Sequence, residues 1–314
     1  MDASIIIQVV LLLVGFVFLI KGSDFFVDGA SSIASILRIP TIIVGLTIVA
    51  LGTSAPEAAV SITSSLTGNN AMAVSNVIGS NLFNILMVIG IAALLSELVM
   101  EKKVLEKDLP FLVGITVLWA IFIIIGWDIT NIEGIILLII MIAYIAYLVY
   151  DTKKSGGATE VEKPKYSLPY SIIFILVGLA GIIIGGDLVV DSASAIAIAF
   201  GMSETLVGLT IVAIGTSLPE LVTSLTALKQ GENQLVIGNV IGSNIFNILF
   251  VLGASSAISA IPLDSSMLVD VLFMIFVTFL CFVFGKTQVK YDRKEGAILI
   301  ALFVIYMAFA ILRN

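Results

Sequence analysis

Residues 45–57 read GLTIVALGTSAPE, and residues 208–220 read GLTIVAIGTSLPE, with eleven of thirteen positions identical. A second pair follows: NVIGSNLFNILMVIG at 76–90 and NVIGSNIFNILFVLG at 239–253, identical at twelve of fifteen. Both pairs are related by one offset of 163 residues, which also matches Gly15 with Gly178, Asp24 with Asp187 and Asp28 with Asp191. A shared offset over that distance marks a duplicated unit. The fold therefore consists of two similar halves, each carrying a Gly-Thr-Ser-x-Pro-Glu break inside an apolar run.

Composition places these halves in a bilayer. Of 314 residues, 60% are hydrophobic and 12% charged, against about 25% charged in soluble domains. A single cysteine, Cys281, excludes an internal disulfide, and the absence of histidine removes the commonest transition-metal ligand. Charge is sorted by loop rather than massed, so nothing points to nucleic acid. The first apolar stretch, Ile5 to Ile20, has no positive charge ahead of it and no small-residue cleavage pattern behind it, and reads as a span rather than a leader.

A helix crosses the bilayer with ~20 apolar residues. Ten spans are expected, at 4–21, 25–66, 70–96, 108–127, 131–150, 168–185, 188–229, 233–259, 267–285 and 295–312. Lys21-Gly22-Ser23-Asp24 reads as the turn between the first two. The second and seventh spans are too long for one plain helix and are expected to be kinked or discontinuous. Residues 151–167, DTKKSGGATEVEKPKYS, form a polar linker between a first repeat (1–150) and a second (168–314). Five spans per repeat is odd, so the second half enters the membrane inverted. The result is an all-α polytopic protein of ten transmembrane helices in two inverted five-helix repeats. With both termini outside, thirteen of the fifteen Lys and Arg residues fall in cytoplasmic loops, leaving Arg313 outside and Arg38 within a span.

Glu57 and Glu220 lie in the apolar repeat cores. A carboxylate at such depth costs at least ~2.5 kcal/mol, and no Lys or Arg sits in either core. Arg38 is the nearest candidate in the first half, but its repeat equivalent is Gly201, so a symmetric ion pair fails. A bound cation supplies the missing counter-charge. Pro56 and Pro219 lack an N–H and deprive the carbonyls of Gly52 and Gly215 of their helix partner. Thr53, Ser54, Thr216 and Ser217 add hydroxyls and further carbonyls, so each break is a cluster of hard oxygens suited to an alkali or alkaline-earth ion. In the second motif, Ser80 and Asn84 are four apart on one helix face, as are Ser243 and Asn247, and supply neutral oxygens. Asn81 and Asn244 fall on a neighbouring face and are expected to make structural hydrogen bonds. Asp24, Asp28, Asp187 and Asp191 are expected in the first turns of the second and seventh spans, where acidic residues favour a helix N-terminus, with an access funnel for ions as the alternative role.

The doubled GTSAPE/NVIGSNLFN and GTSLPE/NVIGSNIFN motifs resemble the two alpha-repeats of the Ca2+/cation antiporter superfamily, in its short prokaryotic Na+/Ca2+ exchanger branch. The likeness covers nearly the whole chain. It implies a transporter rather than an enzyme. Ca2+ and Na+ would be its substrates and the bilayer its surroundings, with no cofactor, nucleic acid or obligate protein partner. It implies that Glu57 and Glu220 form a central Ca2+ site, with backbone carbonyls from Thr53, Thr216, Ala50 and Ala213. It further implies that Ser54, Ser217, Ser80, Ser243, Asn84 and Asn247 line flanking Na+ positions. Some relatives carry Asp where this chain has Asn247, and in the K+-dependent branch that Asp is linked to K+ transport. The resemblance with Asn at 247 thus implies K+-independent Na+/Ca2+ exchange by alternating access, with H+/Ca2+ or K+-dependent Na+/Ca2+ exchange as the alternative. A hydrolase built on Ser54 or Ser217 would lack a general base, since there is no histidine and no nearby lysine.

Overall fold

The computed structural model describes residues 3–68, 70–154, 163–202, 211, 213–262 and 267–313. In chain order the helices are α1 (Ala3–Leu37), α2 (Thr41–Thr53) and α3 (Ala55–Leu66), α4 (Asn70–Leu95), α5 (Val104–Gly126), α6 (Asn131–Lys154) and α7 (Leu168–Ala199). They continue with α8 (Ala213–Gly215), α9 (Leu218–Lys229), α10 (Asn233–Ile258), α11 (Leu268–Gln288) and α12 (Arg293–Arg313). Among the described residues, eight of these helices are long and apolar enough to cross a membrane, and α2 with α3 forms a ninth span bent by 49°. The chain is an integral membrane protein. Residues 203–210 and 212, within the expected seventh span, and 155–162, within the expected linker, lie outside the described residues.

One boundary differs from the sequence reading. Lys21-Gly22-Ser23-Asp24 is not a turn, because α1 runs unbroken for 35 residues, and α7 likewise continues through Gly186-Asp187 for 32. Nothing in Lys21–Asp24 forces a break: Lys21 and Asp24 form an i,i+3 ion pair along the helix, and Gly22 is helical where another helix presses close. The real break comes at Arg38, in the left-handed region with φ 54°, followed by Pro40. Gly201, its repeat equivalent, has φ 92°. At about 1.5 Å per residue α1 is ~52 Å long, well beyond the ~30 Å hydrocarbon core. Asp24, Asp28, Asp187 and Asp191 therefore sit mid-helix rather than in first turns, where they cap no helix. Arg38 lies at the break rather than in a span.

Helices α1 and α7 pack antiparallel along a seam of small residues. A Cβ on Gly22 would stand 2.7 Å from the Ile182 amide nitrogen, and one on Gly178 would stand 2.5 Å from that of Phe26. The two backbones touch, which is how helices associate where lipid competes for apolar surface.

Two short antiparallel strand pairs clip the halves together. β1 (Leu98–Val99) pairs with β4 (Lys290–Tyr291), and β2 (Asp128–Ile129) pairs with β3 (Ile261–Pro262). β3 is β1 displaced by 163 residues and β4 is β2 displaced by 162, so one pairing maps onto the other when the halves exchange. The offset drops by one in the loop after α4. Beyond it, a capping box at Thr130 and Glu133, which opens α6, recurs at Asp292 and Glu295, which open α12. α4 and α10 form the middle of the core: α10 is buried almost throughout.

Candidate functional site

The site forms where both broken helices meet the middles of α4 and α10. At the first break, Ser54 (φ −82°, ψ 8°) separates α2 from α3, and Pro56 sits in the first turn of α3. Proline tolerates that position because its missing N–H would be unpaired there anyway. Glu57 follows immediately and is placed in the first turn, at the bend. At the second break Ser217 (φ −97°, ψ 6°), Pro219 and Glu220 repeat the arrangement.

The two carboxylates are tied across the halves by reciprocal bonds. Ser54 Oγ donates to Glu220 Oε1 at 3.0 Å, and Ser217 Oγ donates to Glu57 Oε1 at 3.1 Å. Ser80 Oγ also donates to Glu57 Oε1, at 3.4 Å. Glu57 and Glu220 are fully buried, and among the described residues neither forms an ion pair with a Lys or Arg. Their other oxygens, Oε2 of each, are buried without a hydrogen-bond partner, as are Oδ1 of Asn84 and of Asn247. Buried polar atoms are nearly always satisfied. Four of the unpartnered oxygens, two from each half, fall in the repeated motifs.

The sequence-derived ligand set largely converges. Thr53, Ser54, Ser80, Ser217, Ser243, Asn84 and Asn247 are all buried. Thr53 Oγ1 lies 3.4 Å from Ser243 Oγ and 3.1 Å from Asn239 Oδ1, and Thr216 Oγ1 donates to Asn76 Oδ1 at 3.5 Å. Ala50 is buried one turn before Thr53, where its carbonyl accepts the Ser54 N–H at 3.0 Å. Ala213 opens the short turn α8. The backbone is π-helical from Asn84 to Ile89 and again from Asn247 to Leu252. Such wide turns are rare and gather at functional sites; these two start on candidate ligands, whereas those at Gly45–Val49 and Val104–Asp108 do not.

Two residues escaped the sequence reading. Asn76 Nδ2 donates to the Glu57 carbonyl at 3.2 Å and to Ser61 Oγ at 2.9 Å, and Asn239 does the same to Glu220 and Ser224 at 3.5 and 3.0 Å. Each asparagine holds the start of the helix that carries the glutamate. Their signal was visible, since both head the repeated NVIGSN motif. The acidic set on α1 stands apart from the site: Asp28 accepts from Lys165 at 2.7 Å, beside a polar cavity of about 520 Å³. That interaction holds the Lys165 ammonium above its ordinary pKa. Among the described residues no three His, Cys, Asp or Glu cluster as a metal centre, so the site's charge comes from two carboxylates alone.

Two buried carboxylates at broken helices, surrounded by hydroxyl and amide oxygens, are a candidate ion site within a membrane protein. The model for the sodium/calcium exchanger protein family matches residues 7–150 and 170–312, and the chain belongs to that family. It is 38% identical to the putative antiporter CaxA of Alkalimonas amylolytica, over 96% of this chain and 98% of that one. It is 31% identical to the sodium/calcium exchanger MaX1 of Methanosarcina acetivorans, over 96% and 98%. The solved structure of the sodium-calcium exchanger NCX_Mj, soaked with Na+ and Sr2+, superposes with a TM-score of 0.86 at 33% identity, over 97% of this chain and 99% of that chain.

Proposed function

We propose that this protein is a secondary-active antiporter that exchanges Na+ for Ca2+ across the cell membrane by alternating access, without K+. The observation that carries the reading is the set of four unpartnered buried oxygens, on Glu57, Glu220, Asn84 and Asn247. Glu57 and Glu220 are the Ca2+ ligands. A Ca2+ ion takes 6–8 oxygens and cancels both negative charges. Carbonyls of Thr53, Thr216, Ala50 and Ala213 complete its shell. Ser54, Ser217, Ser80, Ser243, Asn84 and Asn247 hold Na+ in flanking positions. Ca2+ and Na+ compete for the same two carboxylates, so binding is mutually exclusive and exchange follows. Transport is electrogenic when more than two Na+ move per Ca2+.

The architecture proposed is ten helices in two inverted five-helix repeats, residues 1–150 and 168–314, joined by a cytoplasmic linker at 151–167, with both termini outside. The strand pairs support it. Counting spans from an outside N-terminus puts β1 and β4 on the cytoplasmic side and β2 and β3 outside, so each pair joins loops on the same side. With α1 unbroken, Arg38 takes the place of Lys21 in the first cytoplasmic loop, so the count of basic residues in cytoplasmic loops stays at thirteen. The α1–α7 pair crosses the core along its small-residue seam and slides to expose the site to alternate sides.

Ca2+ uptake into proteoliposomes tests this, with Na+, K+ and H+ gradients imposed one at a time under clamped voltage. Uptake driven by outward Na+ alone is the expected result. A requirement for K+, or uptake driven by a pH gradient without Na+, refutes it.

A further inference from the structure

Asn81 and Asn244 were expected to make generic structural hydrogen bonds. Their partners are specific. Asn244 Nδ2 donates to the Asn81 backbone carbonyl at 3.4 Å, while Asn244 Oδ1 accepts from Asn84 Nδ2 at 3.1 Å. In the other half, Asn81 Oδ1 accepts from Asn247 Nδ2 at 3.2 Å. All four asparagines are at most 1% exposed. Asn84 and Asn247 are each left with Oδ1 as their unpartnered atom.

The direction of these bonds follows from one fixed point. A backbone carbonyl only accepts. Asn244 must therefore turn its NH2 toward Asn81 O, which leaves its Oδ1 facing Asn84. Asn84 must then donate, and its own oxygen points the other way. Were the Asn84 amide flipped, two oxygens would oppose each other, and its NH2 would point where the unpartnered oxygen now does and would repel a cation. The repeat-related relay ends more softly, because Asn81 Nδ2 has only the Met274 sulfur, at 4.0 Å.

We propose that Asn244 is a positioning residue which aims the Asn84 oxygen at the transported cation, and that Asn81 does the same for Asn247 with less rigidity. This rests on reading Asn84 and Asn247 as oxygen ligands. Each half thus sets the ligand of the other, and the four amides act as one braced unit between α4 and α10.

The test is a double-mutant cycle in proteoliposomes, with half-saturation for Na+ and for Ca2+ and the maximal rate measured separately. Asn84→Ala is expected to raise half-saturation for Na+, Ca2+ or both by about tenfold, the scale of removing one polar ligand from a buried site. Asn244→Ala is expected to shift the same ion or ions, with the maximal rate largely kept. The double variant should be no worse than Asn84→Ala alone. Additive losses, or unchanged ion dependence in Asn244→Ala, would overturn the proposal. If Asn84→Ala itself leaves ion dependence unchanged, the ligand reading fails and the proposal falls with it. Should Asn244→Ala not fold, the cycle of Asn81→Ala with Asn247→Ala decides by the same criteria, with a smaller shift expected for Asn81→Ala.

Discussion

Consider Glu57→Gln. Gln is nearly isosteric, and its amide oxygen can still accept from Ser217 and Ser80, which lie 3.1 and 3.4 Å from Oε1. The substitution therefore removes charge and little else. Two unit charges 4 Å apart interact by about 4 kcal/mol at an effective dielectric of 20. The attraction removed is then ~8 kcal/mol for Ca2+ and ~4 kcal/mol for Na+, before the smaller desolvation of a neutral site offsets part of each. The difference of ~4 kcal/mol corresponds to roughly a thousandfold loss of Ca2+ relative to Na+. Stability should move differently. A buried carboxylate without a counter-ion costs ~2.5–3.5 kcal/mol at the bilayer centre, so the ion-free variant should unfold no sooner than the ion-free parent. The assay is thermal unfolding in detergent against increasing Ca2+, alongside 45Ca2+ uptake. The parent should gain stability with Ca2+ and the variant should not, while uptake falls to background. Ca2+-dependent stabilisation or uptake at parental levels in Glu57→Gln would refute the placement of the site. Glu220→Gln should behave alike, because the two carboxylates have reciprocal surroundings.

Three further outcomes follow from the packing. Ser23 Oγ and Thr223 Oγ1 lie 3.2 Å apart between α1 and α9, so the Ser23→Cys/Thr223→Cys pair should cross-link on oxidation and stop exchange, with recovery on reduction; flux that persists after complete cross-linking would place the moving element elsewhere. Gly178→Val would drive a side chain into the α1 backbone, which should cost at least ~1–3 kcal/mol and show as a lowered unfolding temperature, whereas the same change at Gly114, where a Cβ meets nothing within 4 Å, should be mild. Asn76→Ala and Asn239→Ala unpair buried groups at the starts of α3 and α9 and should each cost ~1–3 kcal/mol, with weakened ion binding read from the same Ca2+-dependent thermal shift.

The sequence by itself determined the membrane class, the duplication, the two helix breaks and the motifs that hold the candidate ligands. These are legible because each rests on local chemistry: a bilayer demands long apolar runs, a proline withholds an N–H wherever it stands, and a carboxylate without a basic neighbour in such a run stands out as a candidate site. The helix boundaries were less legible. Lys21-Gly22-Ser23-Asp24 looks like a turn in one dimension, yet α1 passes straight through it, because Gly22 meets the backbone of α7 and Lys21 reaches Asp24 along the helix. The first of these depends on Gly178, Gly181 and Ile182, in a helix of the other half. The same holds for the site. Only the tertiary structure decided that Ser54 serves Glu220 and Ser217 serves Glu57, that Asn76 and Asn239 brace the breaks, and that Asn81 and Asn244 orient the opposite amides. Each of these bonds that crosses from one half to the other is invisible within either motif alone. A hydrogen bond's direction is set by what the partner can donate or accept, and the partners meet only when two halves pack face to face.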